Sequence, residues 1–177
     1  EIFGKRGRGK TFLQSCEAGM CLRDMELYRN CVNAIKSINL EGHNYSFPDR
    51  PPVFTNYKVS ISRGYKKYVS SYYIDGFRFG FENDDVETIP VPPFSHIFLA
   101  EGQRYYNSKG NLKLPGWVSR AYEESRHFEL TIWIDVQRPV LIEANIRELA
   151  DKYIEVIDFE RVRDKNGFVR STNFLVR

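Results

Sequence analysis

The clearest chemistry in the sequence belongs to the segment Gly4-Lys5-Arg6-Gly7-Arg8-Gly9-Lys10-Thr11. It satisfies the phosphate-loop pattern Gly-x-x-x-x-Gly-Lys-Ser/Thr in full, between an apolar start and a helical spacing. Glycines allow a tight loop whose amide hydrogens point inward, and the following helix adds the positive end of its dipole. We therefore predict that the loop binds the phosphates of ATP, with Lys10 at the β- and γ-phosphates and the Thr11 hydroxyl on Mg²⁺.

The residues predicted to bind nucleotide are Gly4, Lys5, Arg6, Gly7, Arg8, Gly9, Lys10, Thr11 and Phe12. A chance glycine-rich turn is the alternative interpretation of the whole segment. The basic residues before Gly9 have two alternatives of their own, a solvated loop face or a patch that contacts nucleic acid.

A phosphate loop needs an acidic site on a neighbouring strand, which holds Mg²⁺ and polarises the attacking water. The candidate is the apolar run 97–100 followed by Glu101, the predicted catalytic carboxylate. Such strands usually end in Asp and then Glu, whereas here Ala100 occupies the Asp position. Asp135, near the end of another apolar run, is one candidate substitute. The alternative for Glu101 is a charged surface residue at the end of a strand.

Polar residues also flank the apolar run 130–136. Gln137 follows its carboxyl end, where ligands of open α/β sheets bind, so we predict that its amide contacts the γ-phosphate or the attacking water. Arg126 and Arg120, before the run, are candidates for an arginine supplied to the nucleotide of a neighbouring subunit. A solvated surface charge is the alternative for each arginine taken alone.

Helical spacings and apolar strands alternate along the chain, which predicts a three-layer α/β fold with a mostly parallel sheet. The spacing predicts a first helix that begins at Phe12 and weakens at Gly19, and a second that begins at the N-cap Asp24. Two more helices are predicted at about 117–125 and 142–153. The predicted strands cover 53–61, 97–100, 130–136, 154–159 and 168–176.

The turn signal Asp75-Gly76 lies between the apolar segments Tyr68–Ile74 and Phe77–Phe81. It predicts an inserted β-hairpin at about residues 65–81. The whole chain, 1–177, is predicted to form one domain. Its first strand is short enough to be a truncated one, since the phosphate loop begins at Gly4.

The 177 residues, 42% of them hydrophobic and 15% aromatic, exclude a disordered chain and suit one folded domain. No apolar run approaches the roughly 18 residues of a membrane span, and the start lacks a signal-peptide pattern. The net charge of +3 leaves attraction to nucleic acid to local patches. Cys16, Cys21 and Cys31 lack zinc-site spacing, so we predict reduced thiols that pack in the core, and a cytoplasmic location.

A wider set of motifs accompanies the phosphate loop. They are the segments Ile2 to Thr11, Phe54-Thr55-Asn56, Pro93 to Gln103, Ser125-Arg126-His127, Asp135 to Pro139 and Asn145-Ile146-Arg147. In this combination the chain resembles the additional-strand, catalytic-glutamate P-loop ATPases of the FtsK–HerA group, and most of all the Zot-like phage assembly and DNA-packaging ATPases. Ala100 departs from the Asp-Glu-Ala-Gln that commonly ends the acidic strand in that family.

The resemblance implies a RecA-like P-loop fold and a motor that hydrolyses ATP with Mg²⁺ in a ring-like homo-oligomer, often a hexamer. The implied partners are DNA and virion or capsid proteins, and the implied location is the cytoplasm of a host cell. Carried over by position, Lys10 and Thr11 bind phosphate and Mg²⁺, Glu101 activates water, Gln137 senses the γ-phosphate and Arg126 acts on a neighbouring subunit. Members often continue into a membrane span, and no such span is present in this sequence.

Two other functions stay open at this stage. Ala100 would permit a nucleotide-binding assembly or scaffold protein with little or no hydrolysis. A small-molecule kinase is disfavoured because no lid with several arginines is evident. For the motor, Tyr65, Lys66, Lys67, Tyr68 and Tyr105 are candidates for contacts with DNA in a central pore, with hairpin packing and solubility as the alternative.

Overall fold

The computed structural model of the chain describes residues 1–37, 52–63, 67–74, 79–80, 89–107 and 116–177. The helices are α1 (Lys10–Ser37), α2 (Gly116–Glu123) and α3 (Ala144–Glu148), and short 3₁₀ turns cover Gly102–Arg104, Glu124–Arg126 and Pro139–Leu141. The strands are β1 (Ile2–Phe3), β2 (Val53–Thr55), β3 (Ser60–Arg63), β4 (Lys67–Ser70), β5 (Tyr72–Tyr73), β6 (Phe79–Gly80), β7 (Ile89–Pro90), β8 (His96–Leu99), β9 (Thr131–Val136), β10 (Ile154–Arg163) and β11 (Val169–Val176).

Seven strands form one sheet in the order β11-β10-β1-β9-β8-β2-β5. Every neighbouring pair in it is parallel except β10 and β11, which are antiparallel. The two-residue strand β1 lies between β10 and β9, and the phosphate loop follows it directly. Parallel strands end at the same edge, so the residues that follow β1, β8 and β9 meet there.

The alternation of side chains along β8 divides the core into two parts. Ile97 and Leu99 pack in a cluster with residues of α2 and α3, while Phe98 packs in a second cluster with residues of α1. Since helices cover both faces of a mostly parallel sheet, the predicted three-layer α/β fold is confirmed. Among the residues that the structure describes, no helix combines the length and hydrophobicity that a membrane-spanning helix requires.

The first helix differs from the prediction of two helices separated near Gly19. It runs without a break from Lys10 to Ser37, so Asp24 is not an N-cap. Ala18, Leu22 and Met25 are all buried in one cluster, which continues the apolar face past the glycine. A glycine inside a helix costs about 1 kcal/mol relative to alanine, and packing of this face offsets that cost. The third helix is shorter than the predicted 142–153. The Glu143 side chain caps its start, and the helix ends at Glu148.

The inserted hairpin also lies elsewhere than predicted. Outside the seven-stranded sheet, β3 pairs with β4 in an antiparallel hairpin, and the turn signal Asp75-Gly76 lies outside the described residues. The predicted strand Tyr68–Ile74 is divided, because β4 pairs with β3 whereas β5 joins the sheet edge beside β2. The two-residue strand β6 pairs in parallel with β7.

The three cysteines are free thiols, but the prediction that all of them pack in the core is wrong. Cys16 and Cys31 are exposed and Cys21 is partly buried. All three lie on α1, and of them Cys21 packs against the buried cluster that contains Ala18, Leu22 and Met25.

Gln14 ties α1 to the sheet. Its side chain is fully buried, and its Nε2 donates to the Leu99 carbonyl at 3.2 Å and to the Trp133 carbonyl at 3.0 Å. We expect Gln14→Ala to lower the free energy of unfolding by about 1–3 kcal/mol, because two carbonyls lose a donor. Urea denaturation measures this, with Cys16→Ala at an exposed position of the same helix as the control, expected within about 0.5 kcal/mol of wild type. Equal effects of the two substitutions would contradict the role of Gln14.

Candidate nucleotide-binding site

Three glycines of the loop between β1 and α1 have positive φ, namely Gly4, Gly7 and Gly9, and at Gly4 and Gly9 a side chain would also clash. Gly4 has φ +147°, and a Cβ there would lie 2.4 Å from the carbonyl oxygen of Val156. Gly9 has φ +83°, and a Cβ there would lie 2.8 Å from Cδ1 of Phe159. The sharp turn at Gly9 is followed at once by helix, since the Leu13 N–H donates to the Gly9 carbonyl at 2.8 Å. The loop therefore presents the N-terminus of α1 at the carboxyl edge of the sheet, where an anion is favoured.

Lys10 differs from the other basic residues of the loop in its burial. Only 6% of it is exposed, and its Nζ donates to the Lys5 carbonyl of the same loop at 3.2 Å. The side chains of Lys5 and Arg6 are exposed, and Arg8 forms an ion pair with Asp158 at 2.9 Å. The Lys10 ammonium is thus the cation that the fold holds inside the loop.

Thr11 and Asp135 join the loop to β9. The Thr11 Oγ1 donates to Asp135 Oδ2 at 2.6 Å, and the other oxygen of this buried carboxylate accepts from the Glu101 N–H at 2.8 Å. Burial raises the pKa of Asp135, while those two hydrogen bonds and the Lys10 charge act in the opposite direction. One carboxylate therefore bridges the phosphate loop and the end of the acidic strand.

The residues at the end of β8 are held by neutral amides. Asn56, after β2, accepts from the Ala100 N–H at 2.8 Å and donates to the Ala100 carbonyl at 3.0 Å. Glu101 adopts the left-handed conformation with φ +54°, which is uncommon for a residue other than glycine. Gln103 Nε2 donates to Glu101 Oε2. Glu101 is thus fixed at the same edge as the loop.

Asn56 and Gln103 belong to the motif set, but the sequence does not predict them as site residues. A single asparagine gives no signal in a sequence that would mark it as a site residue. The role of Asn56 becomes visible only in the structure, where β2 pairs with β8 and Asn56 contacts Ala100. The signal for Gln103 was its place two residues after Glu101.

Gln137 lies close to this group, and Arg126 does not. The Gln137 N–H donates to Gln103 Oε1 at 3.4 Å. Arg126 lies in the 3₁₀ turn before β9, at the amino edge of the sheet, and its guanidinium pairs with Asp151. Arg120 pairs with Glu124 at 2.8 Å. Both arginines thus pair with carboxylates outside the phosphate loop. Their proposed contact with the nucleotide of a neighbouring subunit stays a prediction.

The donors beside the loop fit Mg²⁺, which prefers a few protein oxygens together with phosphates and water. Thr11 offers a hydroxyl and Asp135 a carboxylate, in direct contact with each other. Within the described ranges no group of three or more His, Cys, Asp or Glu residues could hold a metal by itself. A cation here would therefore be completed by the phosphates of a nucleotide.

An aromatic cluster lies on the other side of the loop. The Phe12 and Phe174 rings are 5.7 Å apart, and those of Phe159 and Phe174 are 6.3 Å apart. The Arg161 guanidinium lies 5.8 Å from the Phe12 ring and 5.4 Å from the Phe159 ring. Phe159 also lies next to the Gly9 position, so the cluster, formed by residues of α1, β10 and β11, borders the loop.

Comparison with solved structures gives neighbours at low sequence identity. One is the N-terminal domain of zonular occludens toxin from Neisseria meningitidis, with 19% identity, a TM-score of 0.48, and coverage of 89% of this chain and 75% of that chain. Another is the genome packaging NTPase B204 from Sulfolobus turreted icosahedral virus 2 in complex with ATP-gammaS, with 13% identity, a TM-score of 0.42, and coverage of 94% and 76%. No family model and no curated protein matches the chain.

The strand order, the loop after the central strand β1 and the helices on both faces define a RecA-like P-loop α/β fold. Within that class, the chain resembles Zot-like P-loop ATPases, the family to which its motifs point.

Proposed function

We propose that residues 1–177 form a single ATP-hydrolysing domain. The observation that carries the proposal is the Asp135 carboxylate, which accepts hydrogen bonds from both Thr11 and Glu101. It ties the backbone of Glu101, the predicted catalytic residue, to the phosphate loop that contains the buried Lys10 ammonium. A loop that binds phosphate and an acid that activates water are the two parts that nucleotide hydrolysis needs.

In the proposed reaction the loop amides and Lys10 hold the ATP phosphates in place. Mg²⁺ bound with the Thr11 hydroxyl as a ligand would neutralise charge on the phosphates. Glu101 takes a proton from the attacking water as the water oxygen bonds to the γ-phosphorus. The bond from that phosphorus to the oxygen shared with the β-phosphate breaks, which gives ADP and inorganic phosphate. The Gln103 amide donates to Oε2 of Glu101 and orients this carboxylate.

Gln137 and Arg126 complete the proposed machinery in different ways. The backbone N–H of Gln137 contacts Gln103 at the end of β9, and the Gln137 side chain is proposed to respond to the γ-phosphate from this position. The Arg126 side chain is 74% exposed and lies at the opposite edge of the sheet. This position supports a role on the nucleotide of a neighbouring copy, as in a homo-oligomeric ring.

The proposed biological role is the movement or packaging of DNA in the assembly of a virus or phage, inside its host cell. It rests on the motif set that the chain shares with Zot-like ATPases. Of the residues predicted to contact DNA, Tyr65 and Lys66 lie outside the described residues, and Tyr105 is partly buried. The proposed partners are ATP, DNA, further copies of the chain and capsid or virion proteins.

Steady-state ATP turnover with Mg²⁺, with and without duplex DNA, tests the proposal. Turnover that DNA increases is the expected result. The alternative is a nucleotide-binding scaffold, which is favoured by alanine at position 100, where a carboxylate is expected. ATP binding without turnover, together with turnover in Ala100→Asp, would support this alternative. Absence of ATP binding would contradict both functions.

Phe12 is proposed to form part of the binding surface for the adenine base. We expect Phe12→Ala to weaken ATP binding about fivefold to 160-fold, because stacking of a base on an aromatic ring contributes about 1–3 kcal/mol. Binding of inorganic triphosphate, which has no base, should stay unchanged. Titration calorimetry with both ligands measures the difference, and Phe168→Ala at an exposed site is the control. An equal loss for both ligands would contradict a contact with the base.

A further inference from the structure

The acidic strand β8 lacks the carboxylate expected at Ala100, while a buried carboxylate on β9 touches the phosphate loop. We propose that Asp135 is the carboxylate of the Mg²⁺ site and has taken over this role from the position of Ala100. The inference rests on the proposed function, because Mg²⁺ is expected here only together with nucleotide phosphates.

The strand order explains why β9 can supply this group. β9 is the direct neighbour of β1, and Asp135 is paired in register with Ile2, two residues before the loop begins. β8 is one strand further from β1, so a residue at its end must reach across β9 to the loop. A short aspartate on β9 therefore meets the Thr11 hydroxyl directly, at 2.6 Å.

The surroundings of Asp135 favour a functional carboxylate over a structural one. It is fully buried, and the charges around it are the Lys10 ammonium and the Glu101 carboxylate. From the described residues it accepts hydrogen bonds from one hydroxyl and one backbone N–H, and neither donor carries a formal charge. Burial of a charged group with only neutral donors is costly, and a divalent cation beside it would offset that cost.

The same carboxylate also positions Glu101, the proposed general base. Asp135 Oδ1 holds the Glu101 backbone N–H, and Asn56 holds both backbone groups of Ala100. The backbone at the end of β8 is therefore held by Asp135 on one side and by Asn56 on the other, although Ala100 has no carboxylate.

The test measures the affinity for a nonhydrolysable ATP analogue in Mg²⁺ and in EDTA. We expect wild type to bind at least about tenfold more tightly in Mg²⁺, and Asp135→Asn to reduce this ratio to about threefold or less while affinity in EDTA is retained. Adding Ala100→Asp to Asp135→Asn should restore part of the ratio. Asp158→Asn, which removes a carboxylate next to Arg8, is the matched control and should keep the wild-type ratio.

A measurement on wild type covers the case in which Asp135→Asn does not fold. With isotope-labelled aspartate and Mn²⁺ in place of Mg²⁺, the carboxyl signal of Asp135 should be the most broadened when the analogue is bound. An unaffected Asp135 signal, or a full Mg²⁺ ratio in folded Asp135→Asn, would overturn the inference and leave the proposed function standing. Failure of wild type to bind the analogue in either condition would overturn the proposed function itself.

Discussion

Replacing Lys10 with alanine is expected to remove measurable ATP binding. The Lys10 Nζ is buried and lies 3.2 Å from the Lys5 carbonyl, so the loop holds its charge where phosphate oxygens would bind. Truncation of one partner of a buried charged contact costs about 2–5 kcal/mol, which corresponds to a loss of about 30-fold to more than 1,000-fold in affinity. Titration calorimetry or a fluorescent ATP analogue measures this loss.

The matched control for this prediction is Lys58→Ala, since Lys58 is an exposed lysine that follows β2 and lies outside the loop. Its ATP affinity should equal that of wild type. Retention of wild-type affinity by Lys10→Ala would show that the loop does not bind phosphate through this ammonium. Circular dichroism of both variants would separate a loss of binding from a loss of folding.

Replacing Glu101 with glutamine is expected to lower ATP turnover by about 100-fold to 10,000-fold, the range for removal of a general base. Affinity for ATP should remain within about threefold of wild type, because the backbone N–H that binds Asp135 is unchanged. Steady-state phosphate release measures turnover, and equilibrium titration measures affinity.

Glu129→Gln is the control for Glu101→Gln. Glu129 also adopts a left-handed conformation, with φ +50°, but it precedes β9 at the other edge of the sheet. The two substitutions remove the same charge from the same backbone conformation at different places. Equal turnover in the two variants would exclude Glu101 as the general base.

The phosphate loop and the strands β8 and β9 could be predicted because their signals are local. A glycine pattern and an uninterrupted apolar run are visible within about ten residues. The contact between Thr11 and Asp135 could not be derived in this way, since it depends on β9 lying next to β1. The sequence identified Asp135 only as one candidate for the missing acid.

Elements whose packing overrides a local signal were predicted less well. Gly19 suggested a break in α1, but the apolar face on both sides of it packs in one cluster. The strand predicted at 154–159 continues to Arg163, because pairing with β11 extends it through a charged stretch. Pairing between strands that are distant in sequence supplies the stability that local propensity lacks there.

The unbroken course of α1 also has a mechanical consequence. Its 28 residues span about 42 Å at a rise of about 1.5 Å per residue. Lys10 and Thr11 occupy its first turn, while Ser37 ends it far from the loop. A tilt of roughly 5° about the first turn moves the far end by roughly 4 Å, which follows from the helix length. A tilt that begins at the phosphate loop would therefore displace Ser37 by more than it displaces Lys10.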